Sequence, residues 1–170
     1  MDNTLIVFAS NHGTVDKYAR ELFRLIDGKV DICNLNEREM VPDLTKYDSV
    51  IVGGAIQSGK MQEEISLFCE KHLDELVVKR LGLFIHCPLT GENAQKLLDG
   101  AYPKELKDCA VVRDYFGVEA NQLKMNIWER IVTTQMIKKK DLIVELLKEK
   151  IERFARVMSE ADNIPDNRKK

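Results

Sequence analysis

The sequence predicts an α/β domain, a doubly wound parallel sheet of five strands with helices on both faces. Three observations carry that prediction. Short β-branched apolar runs alternate with amphipathic stretches of helical spacing, the pattern of successive βαβ units. The runs have no polar alternate, as expected of strands buried on both faces. The chain of 170 residues, 44% hydrophobic and 32% charged, suits one domain with one sizeable core.

Thr4-Leu5-Ile6-Val7-Phe8-Ala9 reads as strand one. A turn from Ser10 to Gly13 follows, then Tyr18, Ala19, Leu22, Phe23, Leu25 and Ile26 recur at helical spacing up to Gly28. Val30 to Leu35 is strand two. Ser49-Val50-Ile51-Val52 is strand three, entering a glycine turn at Gly53-Gly54. Ile65, Leu67, Phe68, His72, Leu73 and Leu76 mark one helix, and Leu81 to Ile85 a fourth strand. Ala94 to Leu98 is a short helix. Cys109-Ala110-Val111-Val112 begins strand five, which ends near Gly117, and Leu142 to Met158 forms a long last helix. The domain therefore spans residues 1–160, with an insertion at about 118–140 and a frayed polar tail at 161–170. Strand order 2-1-3-4-5 is one of the two common doubly wound solutions. It places a ligand beyond the carboxyl ends of the strands, at the turns after Ala9, Val52, Ile85 and Val112.

Composition excludes several classes. The net charge of −2 and an aromatic content of 6% argue against nucleic-acid binding. Cys33, Cys69, Cys87 and Cys109 show no C-x-x-C spacing and sit in or beside apolar runs, as buried thiols of a reducing compartment do. His12, His72 and His86 form no ligand pair, so no metal site is expected. The N-terminus lacks a basic region followed by a cleavable apolar core. No apolar run approaches the ~20 residues of a membrane span. A cytoplasmic location is expected.

The turn Ser10-Asn11-His12-Gly13-Thr14 opens a helix. Converging N–H groups, the helix dipole, two hydroxyls and a side-chain amide suit a monophosphate. The P-loop lysine and the G-x-G-x-x-G fingerprint are both missing. The same Ser and Thr would also serve simply to cap a helix. After strand three, Gly53-Gly54-Ala55-Ile56-Gln57-Ser58-Gly59-Lys60 leaves room for a backbone to lie against a flat ring. The polar turn His86-Cys87-Pro88-Leu89-Thr90-Gly91-Glu92-Asn93 flanks the other side.

These residues resemble the flavodoxin family, whose phosphate loop reads S/T-x-T-G-x-T after strand one. Ser10 and Gly13 match; His12 and Val15 stand where the family has threonines, and Thr14 offers a hydroxyl one position early. The turn Gly53 to Gly59 and the long insertion resemble one branch, the menaquinone-dependent protoporphyrinogen oxidases, over about residues 3–158. The resemblance implies a flavodoxin-like fold holding FMN. The implied contacts are Ser10, Asn11, His12, Gly13, Thr14 and Val15 for the phosphate. For the ring they are Gly54, Ala55, Ile56, Gln57, Ser58 and Gly59, with Cys87, Pro88, Leu89, Thr90 and Gly91 opposite. Residues 54–60 and 86–95 hold no Phe, Tyr or Trp. The ring is then covered by Ile56, Leu89, the insertion or a partner, and a weaker, more exposed site than a typical flavodoxin's is expected.

The insertion carries Leu123, Ile127 and Ile131 at four-residue spacing beside Trp128, Val132 and Met136. Lys124, Arg130, Lys138, Lys139 and Lys140 face only Glu119 and Glu129 in charge. Such a helix either packs on the domain or contacts the inner face of a membrane peripherally. The resemblance favours an FMN-dependent oxidoreductase that passes electrons from a reduced substrate, a porphyrin in that branch, to a quinone or another redox partner. The alternatives are a flavodoxin-type electron carrier and a flavin-free binding module. No acid–base pair or nucleophile constellation stands out.

Overall fold

The computed structural model describes residues 2–11, 13–87, 89–117 and 133–160, of which 133–144 are described by backbone alone. Five strands form a parallel sheet: β1 (Asn3–Phe8), β2 (Lys29–Asn34), β3 (Ser49–Gln57), and then β5 (Arg80–His86) and β6 (Val112–Phe116). Between β3 and β5 the chain makes a two-residue strand, β4 (Lys60–Met61), antiparallel to the tip of β3. The order is β2-β1-β3-β5-β6. It is the expected doubly wound arrangement, with the switch between β1 and β3.

Alternation along the strands divides the core in two. Leu5, Val7, Val50, Val52, Leu81, Leu83 and Ile85 face one side. That side is covered by α2 (Glu63–Lys71), α3 (Leu73–Leu76), α4 (Gly91–Ala101) and α5 (Lys104–Cys109). Ile6, Phe8, Ile51, Phe84 and Phe116 face the other, under α1 (Thr14–Leu25) and α6 (Thr133–Ser159). On α1 the residues Val15, Tyr18, Ala19 and Leu22 are buried at i, i+3, i+4, i+7 spacing, which makes one apolar stripe. Phe84 stacks on Phe116 at 5.1 Å and meets Phe154 edge-on at 6.1 Å. Gly82 admits that last ring: a Cβ there would lie 2.9 Å from Phe154 Cζ.

α6 is fastened at two places. At its end, Arg80 Nε donates to the Met158 carbonyl at 3.0 Å, and Arg80 Nη2 donates to Val157. A guanidinium there also complements the negative end of the helix dipole. In its middle, the buried carboxylate of Asp114 accepts from Lys150 Nζ at 3.0 Å and Arg153 Nη2 at 2.7 Å.

Four expectations need correction. Gly53 and Gly54 are not a turn; β3 runs through them to Gln57. The helix expected from Ile65 to Leu76 is broken at His72 into α2 and α3, and Leu67 is 56% exposed. Cys109 does not open a strand. It ends α5, a helix marked in the sequence by little more than Pro103 and the single buried Leu106. Residues 133–140 belong to α6; the rest of the expected insertion, 118–132, lies outside the described residues, as does the tail 161–170.

Candidate functional site

Three turns leave the carboxyl edge of the sheet side by side, because Phe8 pairs with Gly53, Ala55 with His86, and His86 with Phe116. The first follows β1. The β1–β2 ladder ends at Phe8 and Asn34, and there the Asn34 side chain takes over. Ser10 N–H donates to Asn34 Oδ1 at 3.1 Å, and Asn34 Nδ2 donates to the Ser10 carbonyl at 2.8 Å. Asn36 Nδ2 reaches Asn11 Oδ1 at 2.9 Å. Gly13 N–H donates to Ser10 Oγ at 3.0 Å, which closes the turn. Gly13 then caps α1 in an extended conformation, and among the described residues no side chain caps the first turn of the helix. Thr14 is half-buried. Val15 is buried, its side chain in the α1 core, so it offers this edge only its N–H. Asp16, in the same turn, pairs with Arg20 at 2.9 Å along the helix. His12 lies outside the described residues.

The second turn is a hairpin. Ile56 pairs with Met61 and Gln57 with Lys60. Ser58 and Gly59 between them have φ of +50° and +77°, the two left-handed positions of a type I′ turn. Gln62 stabilises the base: its Oε1 accepts from Ala55 N–H at 2.7 Å, and its N–H donates to the Ala55 carbonyl at 3.2 Å. Gly53 and Gly54 leave no space for a ring. A Cβ on Gly53 would lie 1.9 Å from Phe84 Cζ, and one on Gly54 would lie 2.7 Å from Met61 Sδ. Both vacancies are filled from within the domain. What the hairpin exposes at this edge is half-buried Ile56 and the exposed Gln57, Ser58 and Gly59.

The third turn follows β5. Cys87 is fully buried, its N–H donates to the Phe116 carbonyl at 3.4 Å, and its thiol points to the Leu89 carbonyl at 3.5 Å. Burial pushes that thiol up, away from the reactive thiolate. Leu89, Thr90 and Gly91 are exposed. Gly91 N–H donates to Tyr115 Oη at 3.2 Å, and Lys150 Nζ sits 3.3 Å over the Tyr115 ring. His86 Nδ1 lies 3.1 Å from the Phe116 carbonyl and 3.4 Å from Tyr18 Oη. Desolvation, with a further push from Cys87, raises the Tyr18 phenol. Pro88 lies outside the described residues.

The structure thus brings the described members of all three predicted turns to one edge. It adds Asn34, Asn36, Gln62 and Tyr115, which sequence reasoning missed. An asparagine inside the apolar run ending strand two was the available signal, since asparagine is depleted in strands. Gln62 stands where a helix N-cap belongs but is a poor capping type, a sign of another task. A depression of about 400 Å³ between Leu25, Asp27, Glu152 and Arg156 lies between α1 and α6, away from these turns. Among the described residues no His, Cys, Asp and Glu group could hold a metal, and no helix is long and apolar enough to cross a membrane.

The flavodoxin domain family model matches residues 5–142, most of the chain. This chain belongs to the flavodoxin domain family. Its flavodoxin-like sheet is similar to oxidised flavodoxin 1 from Bacillus cereus, at 16% identity over 92% of this chain and 96% of that one, with a TM-score of 0.52. An apo NADH:FMN oxidoreductase aligns at 14% identity over 95% and 92% of the two chains, with a TM-score of 0.53. No curated protein matches the chain. Nothing in these matches supports the narrower resemblance of this flavodoxin-domain chain to the protoporphyrinogen oxidases.

Proposed function

We propose that this chain binds FMN and carries electrons between redox partners, as a carrier of the flavodoxin type. One observation carries the reading: within the flavodoxin-domain match, the turn after β1 opens α1 with no side-chain cap. An uncapped helix start offers N–H donors and the positive end of the dipole, which a phosphate monoester takes up. The donor set fits that group. It comprises the N–H of Thr14 and Val15, the hydroxyls of Ser10 and Thr14, and the Asn11 amide, with no side chain at Gly13 between them. The loop contains no lysine or arginine, so backbone amides carry the recognition, with His12 next to them in sequence. The ring falls to Ala55, Ile56, Gln57, Ser58 and Gly59 on one turn and Pro88, Leu89, Thr90 and Gly91 on the other; Gly54 and Cys87, both buried within the domain, are left out. Ile56 and Leu89 are the apolar covers. When bound, FMN supplies the redox chemistry; the chain orients it and limits solvent access.

Titration with FMN and with riboflavin, followed by visible absorbance and fluorescence, tests this. Saturable FMN binding at least tenfold tighter than riboflavin is expected; absence of FMN binding would overturn it. The reduced protein should then pass electrons to a one-electron acceptor without consuming an organic substrate.

A second reading is favoured by the net charge of −2, since carriers use strongly acidic surfaces to steer docking. It is an FMN oxidoreductase taking reducing equivalents from a porphyrinogen and passing them to a quinone, with residues 118–140 at a membrane surface. Turnover of protoporphyrinogen IX with a menaquinone analogue would decide for it and against the carrier.

A further inference from the structure

We propose that Asn34 is a positioning residue for phosphate recognition: its carboxamide extends the β1–β2 ladder by one step and fixes Ser10 so that the loop is formed before the ligand arrives. The inference rests on the FMN reading and names what organises that site.

Beyond Phe8 and Asn34 the two strands no longer pair, and Ser10 would lose partners for both its backbone groups while 7% exposed. A buried N–H and a buried carbonyl left alone are costly. One primary amide supplies both missing partners, an acceptor at 3.1 Å and a donor at 2.8 Å, as the next peptide of a strand would. Asn34 is itself 6% exposed, and Oδ1 also accepts from Asn36 N–H at 3.2 Å, a third bond that restrains the carboxamide. Aspartate lacks the donor, leucine lacks both groups, and glutamine is a methylene too long. With Ser10 fixed, its Oγ accepts from Gly13 N–H, and its own O–H, which has no acceptor among the described residues, is placed to donate at the start of α1. Asn36 adds a lighter, exposed tie to Asn11. A loop ordered in advance does not lose that freedom on binding, and affinity gains accordingly.

The test is titration of the full chain, Asn34→Leu, Asn34→Asp and Asn36→Ala with FMN and with riboflavin, which lacks the phosphate. A circular dichroism melt of each variant accompanies it. FMN affinity should fall at least tenfold in both Asn34 variants and less than threefold in Asn36→Ala, while riboflavin affinity stays unchanged. Equal losses for both ligands, or none, would reduce Asn34 to a structural residue and overturn the proposal. Should the Asn34 variants not fold, nitrogen-15 spectra of the unmodified chain decide. On addition of inorganic phosphate, the Asn34 side-chain amide and the Ser10 amide should shift together and saturate; an Asn34 amide that stays still overturns the proposal. Should the unmodified chain bind no FMN while that phosphate response is present, the FMN reading falls and the role of Asn34 stands.

Discussion

The turns after β1 and β3 leave neighbouring strands at the same edge and are held by opposite means. The first borrows its order from another element: Asn34, 24 residues on, supplies both partners of Ser10. The second makes its own order, pairing Ile56 with Met61 and Gln57 with Lys60 and closing on Gln62. A turn built from local pairing survives changes elsewhere in the sheet. A turn clamped from a distance does not. The difference suits the two tasks proposed for them, since a charged group needs donors at fixed points and a flat ring needs only a firm wall.

The comparison breaks most severely at the root of the hairpin. Gly53→Ala drives a Cβ into Phe84, whose ring is already pressed on Phe116 and Phe154. A loss of about 3 kcal/mol is expected from such overpacking, read as a lower urea midpoint. Next, Gln62→Ala leaves the Ala55 N–H without its acceptor and should cost about 2 kcal/mol. The amide shifts of Ser10 and Gly13 should meanwhile stay in place; if they move, the two turns are not independent. The smallest effect sharpens the picture. Ser58 holds a left-handed φ of +50°, which asparagine tolerates better, so Ser58→Asn should raise stability by about 0.5 kcal/mol, seen as a small rise in melting temperature.

Much of the sheet was legible because β1, β3 and β5 are apolar runs that only a two-sided burial explains. What escaped had distant causes. Gly53 and Gly54 look like a turn in the sequence, and only the ring of Phe84 and the side chain of Met61, placed by folding, show why a strand needs glycine there. α5 escaped because one buried leucine gives no period. The break at His72 is a local event: its backbone leaves the helix while its ring pairs with Glu75 at 2.7 Å, and nothing in the apolar spacing marks it. Of the site, Ser10, Gly13 and Thr14 could be named from their spacing after strand one. Asn34 could be flagged only as a residue out of place in a strand; its task could not be named, because its partner is the Ser10 backbone, and backbone positions leave no trace in residue type.

The clamp on Ser10 also has a cost in time. Among the described residues β2 is an outer strand, bonded to β1 and to no other strand. Outer strands detach at lower free energy than inner ones, in openings that leave the remaining fold intact. Each time the end of β2 lifts away, Asn34 leaves with it and the Ser10 amide meets water. Hydrogen exchange at Ser10 should therefore follow the breathing of the sheet margin, although β1, the strand it follows, lies in the interior.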